Sequence, residues 1–489
     1  MPTDCWVAMK YVSTRGAAAG SSFQEALFSG YAVDGGLFVP EEIPRVSADT
    51  LRQWRALSYP QLVQNICSLY ISPDEIPVQE LGALVDRALS RFAHSEVVTF
   101  KRLRDGLNVL ELFHGPTMTF KDLAMCCLAQ FILYFLQKED KHVTIVVGTS
   151  GDTGGSAIAS LRGAERADVV VLLPGGRCSR LQELHMTTAM EENVHVFTVE
   201  GSSDDLDEPI RRLFADTEFS SRHGVISINS INWGRVLVQV AHHFYAYLRC
   251  TDGGGSGAEE EMPTVEVVVP TGAAGNAAAG CVARRMGLPI RLLCAVNQND
   301  VVHRALQSGD FSVDGAVKPS LASAIDIQVP YNTERMFHLC SDADTALVRD
   351  VMSRFYESGR ASLPATLQSK MREALSSSAL SDADISGAMR RCWQENAYLL
   401  CPHSAVAVAF HYSWPTPPGV HRVCLATASP AKFQEVVEHV GLRQPEHPEV
   451  AALRDLPQRS VPMRRGDDWD ALLRDAVTRI SRRRASHAP

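Results

Sequence analysis

Apolar and polar positions alternate at helical spacing through the first hundred residues. Ser47–Leu57, Tyr59–Tyr70 and Glu80–Phe92 each set apolar side chains three and four residues apart, and Pro40, Pro44, Pro60, Pro73 and Pro77 punctuate them. Met9–Phe100 therefore predicts a mostly helical N-terminal unit. From His142 the period changes. A β-branched run, a glycine-rich turn and a helix-like segment follow one another at His142–Val147, Gly148–Gly155 and Ser156–Leu161. The pattern returns at Val169–Leu173, Pro174–Gly176 and a helical stretch from Arg180, and again at Val265–Val269, Gly272–Gly275 and a small-residue helix from Asn276. Arg291–Val296 and Val423–Leu425 read as further strands. Strands apolar on both faces and separated by helices imply an α/β fold with doubly wound, mainly parallel sheets. Ligands of such folds gather beyond the carboxyl ends of the strands.

Between these elements, Thr251–Pro263 reads as a mobile surface linker and Trp414–Gly419 as a proline-rich loop. Ser341–Asn396 reads as an inserted, predominantly helical and charged region. No tandem repeat is detected.

Composition narrows the function classes. A chain of 489 residues, 45% hydrophobic and 21% charged, has room for about three structural units. Its net charge of −9 gives no broad footprint for nucleic acid, so an anionic ligand needs a local site. No apolar run approaches the roughly 20 residues of a membrane span, and the start carries no secretion signal, so a cytoplasmic setting is expected. Twelve scattered cysteines without a C-x-x-C pair fit reduced thiols better than a disulfide framework or zinc ribbon. Cys401 and His403 are too few for a metal site and read as a packed strand end, and His242 and His243 are adjacent, which disfavours a metal pair. Arg482–Arg484, beside Ser481 and His487, reads as a solvated helix end.

Three loops carry chemistry. Gly148-Thr149-Ser150-Gly151-Asp152-Thr153-Gly154 sits between an apolar strand and a helix start, where free N–H groups attract carboxylate or phosphate. Neither G-x-G-x-x-G nor G-x-S-x-G is present, so a hydride-transferring Rossmann enzyme and an α/β-hydrolase lose ground. Pro270-Thr271-Gly272-Ala273-Ala274-Gly275-Asn276 is a second cradle of backbone amides, without the lysine of a nucleotide-binding P-loop. In Phe113-His114-Gly115-Pro116-Thr117-Met118-Thr119-Phe120-Lys121-Asp122, a lysine opens an apolar segment that favours its neutral amine, as Schiff-base chemistry requires.

Together with Ala426-Thr427-Ala428-Ser429-Pro430-Ala431-Lys432-Phe433, these loops resemble the threonine synthases of the pyridoxal-phosphate fold type II family. The resemblance also takes in Tyr11–Gly16, Asp34–Phe38 and Ser230-Ile231-Asn232-Trp233, nearly the whole chain. Val268–Asn276 and Leu399–Val408 look most like a vertebrate, threonine-synthase-like branch of that family. It implies an N-terminal domain over residues 1–95 and a catalytic core over 96–489. The core would comprise a smaller subdomain near 125–240 and a larger one from 96–124 plus 241–489, with a helical insertion near 341–396.

The resemblance implies pyridoxal 5'-phosphate as cofactor and Lys121 as its Schiff-base lysine. It places Gly272, Ala273, Ala274, Gly275 and Asn276 around the cofactor phosphate, Thr427 at the pyridine nitrogen and Asp152 near the cofactor O3′. Ser150, Gly151 and Thr153 would meet the substrate carboxylate. Asn232, Arg235 and Lys432 become candidates for substrate anions, with a structural ion pair as the alternative for Arg235. His114 and Thr119 become candidates for the cofactor pocket. Biosynthetic threonine synthases usually carry asparagine and phenylalanine where Ala273 and Ala274 stand, and histidine where Ser429 stands; the smaller groups alter the walls and hydrogen bonding of the site.

The implied function is a phospho-lyase acting on small O-phosphorylated amino acids. It would release phosphate from O-phosphohomoserine and O-phosphothreonine to give 2-oxobutyrate and ammonia, as a monomer or homodimer. A true threonine synthase is the first alternative. A non-catalytic or secreted interaction protein that retains the fold is the second, and an NAD-dependent enzyme is a distant third.

Overall fold

The computed structural model describes residues 8–252, 262–443 and 446–486. Most of the linker expected over Thr251–Pro263, the first seven residues and His487 lie outside the described residues.

The apolar runs become two parallel sheets. The larger has six strands in the order Leu375–Ala379, Ile290–Val296, Val265–Pro270, His421–Ala426, Asn108–Glu111 and Thr99–Arg102. All its pairings are parallel except that of the edge strand Thr99–Arg102. The smaller has five parallel strands in the order Val461–Met463, Val194–Val199, Ala167–Pro174, Val143–Gly148 and Val225–Ile226. Ala167–Pro174 is buried along its whole length, which is why its sequence is continuously apolar rather than alternating. The helix Trp233–Cys250 is buried almost all round and packs on the helices Tyr59–Ser68, Lys121–Glu139 and Gly275–Arg285. The N-terminal unit is mostly helical, as its period predicts, with one small antiparallel pair, Tyr11–Ser13 with Phe38–Pro40. Three of its helices start at Ser22, Ser47 and Ser58, whose hydroxyls accept from the first-turn amides, and a fourth, Val78–Leu89, follows Pro77.

Three expectations are corrected. Ser341–Asn396 is predominantly helical, but it is not a separate insertion: it supplies Arg360–Ser362 to a small antiparallel pair and Leu375–Ala379 to the edge of the six-stranded sheet. The strand Leu-Ser-Ser-Ser-Ala has only two apolar ends, and an edge position needs no more. The larger subdomain also does not keep the whole of 241–489. Val461–Met463 joins the smaller sheet, and the helix Trp469–Ala485 packs against it.

The third correction explains that return. Arg483 and Arg484 are not a solvated helix end. Both reach Asp168, fully buried on the smaller sheet, at 3.3 and 2.8 Å. His142 and His195 lie 2.9 and 3.0 Å from the same carboxylate. Burial raises the pKa of Asp168, but His142, His195 and Arg484 win and hold it well below the usual carboxylate range.

Candidate active site

The site lies between the two sheets, at the carboxyl ends of their strands. Lys121 opens the helix Lys121–Glu139. Asp122 fixes the preceding turn by accepting from Thr117 N and Oγ1 at 2.8 and 2.6 Å. A Cβ on Gly115 would stand 2.6 Å from the Asp122 side chain, so that turn needs glycine. Phe120 N donates to Thr427 O at 2.8 Å, which sets Lys121 beside Thr427.

The Lys121 ammonium is 3.7 Å from Asp152 Oδ2, and Lys432 Nζ is 2.7 Å from Oδ1. Gln182 Nε2 also donates to Asp152 Oδ1, at 2.9 Å. Burial pushes the Lys121 pKa down, Arg235 and Lys432 add to the shift, and Asp152 partly offsets it, leaving it at about 8. Asp152 is opposed by its burial, yet Lys432 and Lys121 hold it ionised, far below its ordinary range. One carboxylate thus faces two lysines. Lys121, the more loosely paired, is the amine that gives up its proton near neutral pH.

The second wall is the start of the helix Gly275–Arg285. Ala274 takes the left-handed conformation, φ 62°, and the amides of that first turn have no intrahelical acceptor. His243 Nε2 donates to Asn276 O at 2.9 Å, and Asn276 Nδ2 donates to His242 Nδ1 at 3.0 Å. Both histidines are buried and held neutral by burial, His243 at about 4. Adjacent residues on one helix therefore do converge on one partner, the first through its side chain and the second through its backbone.

Most of the sequence candidates meet here. Lys121, Ser150, Asp152, Thr153, Arg235, Gly272, Ala273, Ala274, Gly275, Asn276 and Thr427 all line one pocket. Arg235 is 2% exposed, forms no ion pair among the described residues, and leaves Nε without a partner, which removes the structural ion pair as its explanation. Burial pushes its pKa down to about 10, still cationic at neutral pH.

Others do not reach the pocket. Asn232 caps the helix Trp233–Cys250, accepting from Gly234 N and donating to Leu27 O and Ser227 O. Lys432 is 1% exposed and paired with Asp152. Gly151, φ 132°, serves by what it lacks: a Cβ there would stand 2.6 Å from Gln182 and push it off Asp152. Ser429 accepts from Ala431 N as a cap rather than forming a wall. His114 bonds Glu111 and Thr99, and Thr119 lies behind Asp152.

Sequence reading missed His403, Tyr331 and Asp207, which also line the pocket. Cys401-Pro402-His403-Ser404 is a helix start, not a strand end: Cys401 Sγ accepts from Ser404 N and Pro402 takes the first turn. Proline one place after a side-chain acceptor was the available signal.

The residues fit pyridoxal phosphate: a half-neutral buried lysine, a helix start with free amides for the phosphate, and a hydroxyl at Thr427. Family models match in sequence: threonine synthase N terminus over residues 10–89, pyridoxal-phosphate dependent enzyme over 96–351, and threonine synthase C-terminal over 404–474. The chain belongs to the threonine synthase family. It is a pyridoxal-phosphate enzyme of fold type II. This family member is 55% identical to human threonine synthase-like 2 over 98% of its own length and 99% of that protein. It is 37% identical to the threonine synthase of Schizosaccharomyces pombe, over 88% of each chain. The pyridoxal-phosphate-bound threonine synthase of Brucella melitensis superposes with a TM-score of 0.88 at 34% identity, covering 97% of this chain and 100% of that one. Among the described residues no helix is long and apolar enough to cross a membrane.

Proposed function

We propose that the chain is a phospho-lyase that converts O-phosphohomoserine or O-phosphothreonine, with one water, to 2-oxobutyrate, ammonia and phosphate. The observation that carries this reading is Arg235: a buried, carboxylate-free guanidinium on the wall of a pocket that also holds Lys121. A buried cation without a counter-charge is unfavourable, and a phosphate or carboxylate group of a substrate supplies one.

When bound, pyridoxal phosphate withdraws electrons from the substrate Cα and so acidifies its proton. Lys121 Nζ takes that proton, since its amine is half neutral near pH 8, and with O-phosphohomoserine a further proton must leave Cβ before phosphate departs from Cγ. Asp152 lies beside this lysine, 2.7 Å from Lys432 Nζ and 3.7 Å from Lys121 Nζ, so Lys121 is the more loosely held of the two amines. Gly272, Ala273, Ala274, Gly275 and Asn276 would hold the cofactor phosphate, and Thr427 would offer a neutral hydroxyl to the ring nitrogen. Ser150 and Thr153 meet the substrate carboxylate, while Arg235 retains the phosphate as its bond to carbon breaks. The enamine released after phosphate departs takes up water to give the keto acid and ammonia.

The competing synthase reading needs water directed to Cβ. Ala273 and Ala274 add no polar side chain to the pocket that could direct a water, which favours the lyase. Loading the protein with pyridoxal phosphate, adding O-phosphohomoserine or O-phosphothreonine, and measuring phosphate, 2-oxobutyrate and threonine together decides between them. Phosphate matched by 2-oxobutyrate supports the lyase, and phosphate matched by threonine overturns it. No phosphate from either substrate overturns both readings.

A further inference from the structure

The Ala324 peptide ties the two halves of the molecule together across the pocket. Its carbonyl accepts from Ser150 Oγ, on the loop after a strand of the smaller sheet, at 3.4 Å. Its N–H donates to His403 Nε2 at 2.9 Å, on the helix Pro402–Ser413, which packs on the larger sheet. The turn that contains it, Ser323–Ile325, puts Ala324 and Ile325 on the pocket wall. That wall is close to the glycine loop: a Cβ on Gly272 would lie 3.0 Å from both Cα and Cβ of Ile325. Behind the turn, Asp326 gathers the loop by accepting from Ser320 N, Ser320 Oγ and Asn297 Nδ2 at 3.0, 2.6 and 2.6 Å.

His403 is 3% exposed and its ring packs on Phe433, with centroids 4.5 Å apart. Burial keeps the ring neutral, so Nε2 accepts and Nδ1 carries the proton. Remove that acceptor and the Ala324 N–H is left buried and unpaired. The turn then relaxes toward water and takes Ile325 off Gly272.

We propose that His403 is a positioning residue of this active site: by accepting from Ala324 N–H it holds the turn Ser323–Ile325 against the glycine loop and fixes the apolar wall that the substrate side chain meets. It acts through the turn, not on the reacting atoms. The consequence for substrate rests on the proposed function; the hydrogen bond does not.

Two variants separate acceptor from bulk. His403→Gln keeps an acceptor near the place of Nε2, whereas His403→Phe keeps the ring and its contact with Phe433 but has none. The first readout, on the full chain loaded with pyridoxal phosphate, is hydrogen exchange at the Ala324 amide. Exchange is expected to quicken about tenfold or more in His403→Phe and to stay near the wild-type rate in His403→Gln. The second readout is steady-state kinetics with O-phosphohomoserine. KM is expected to rise about tenfold in His403→Phe with kcat little changed, and His403→Gln is expected to restore it. Should His403→Phe fail to fold, His403→Leu removes the acceptor with a smaller side chain and is expected to raise KM likewise.

An Ala324 amide that exchanges equally slowly in wild type and His403→Phe overturns the proposal. So does a fall in kcat with KM unchanged. If the wild type releases no phosphate at all, the proposed function fails, and the exchange measurement still decides the role of His403.

Discussion

Asp152 and Asp168 are both buried aspartates ringed by cations, yet they do different things. Asp168 sits on the smaller sheet with two arginines and two histidines, each with about a third or less of its side chain exposed. Those partners come from the C-terminal helix and neighbouring strands, so the ring closes the fold around the chain's end. Asp152 has two lysines, 1% and 13% exposed, and nowhere nearby for either to shed charge into water. There burial, with Arg235 and Lys432 adding to it, pushes the Lys121 pKa down to about 8. A carboxylate with part-exposed partners docks an element, and a carboxylate whose lysine partner is sealed from water stands beside a titrating amine.

Lys121→Ala breaks the comparison most severely, because it removes the group that distinguishes the two rings. Phosphate release is expected to fall by about 10³-fold or more, and the visible absorbance of the bound cofactor to disappear. Parallel measurement on Asp168→Asn is expected to leave that absorbance in place; its loss would show that the two rings are not separate in function.

Asp152→Asn sharpens the contrast. Lys121 and Lys432 then face each other without a counter-charge, at a stability cost of about 3 kcal/mol at pH 7. The sign follows from the depressed carboxylate: its contribution is fully present above the unfolded aspartate value of about 4 and is lost as pH falls through the lower folded value. The deficit of Asp152→Asn in urea unfolding is therefore expected to shrink below about pH 4. Losing the carboxylate also lowers the Lys121 pKa. Cofactor capture by the unloaded wild type is expected to quicken with pH and level off above about 8, and in Asp152→Asn that rise moves to lower pH.

The two rings also differ in how far the sequence disclosed them. Lys121, Asp152 and the glycine loops stand in contiguous stretches beside apolar runs, so period and resemblance together were enough to locate them. The parallel strands were legible for the same reason, since burial on both faces leaves an unbroken apolar signature. Asp168, by contrast, takes its partners from positions 142, 195, 483 and 484, a span no local pattern can connect. The triple arginine looked solvated because a helix end with basic residues usually is. His403 was hidden differently. Its neighbours Cys401 and Ser404 announce a helix start, but its partner is a backbone amide 79 residues away. Asn232 shows the reverse error: a polar residue inside a recognised motif was assigned to substrate, when the motif needs it to cap a buried helix.

Arg484→Ala tests the docking ring with the smallest effect. Its Nε lies 2.8 Å from Asp168 Oδ2, but its side chain is 30% exposed, so solvent screens part of the interaction. Arg483, His142 and His195 remain on the carboxylate, which spares Asp168 from being buried alone. The expected loss is about 1 kcal/mol, or roughly 1 °C in Tm for a chain of 489 residues. Cofactor absorbance and KM are expected to stay at wild-type values, because no atom of this ring lines the active-site pocket. A drop in Tm that brings a loss of cofactor with it would mean that the C-terminal helix supports the active-site loop through the smaller sheet. The division between a docking aspartate and a catalytic one would then have to be abandoned.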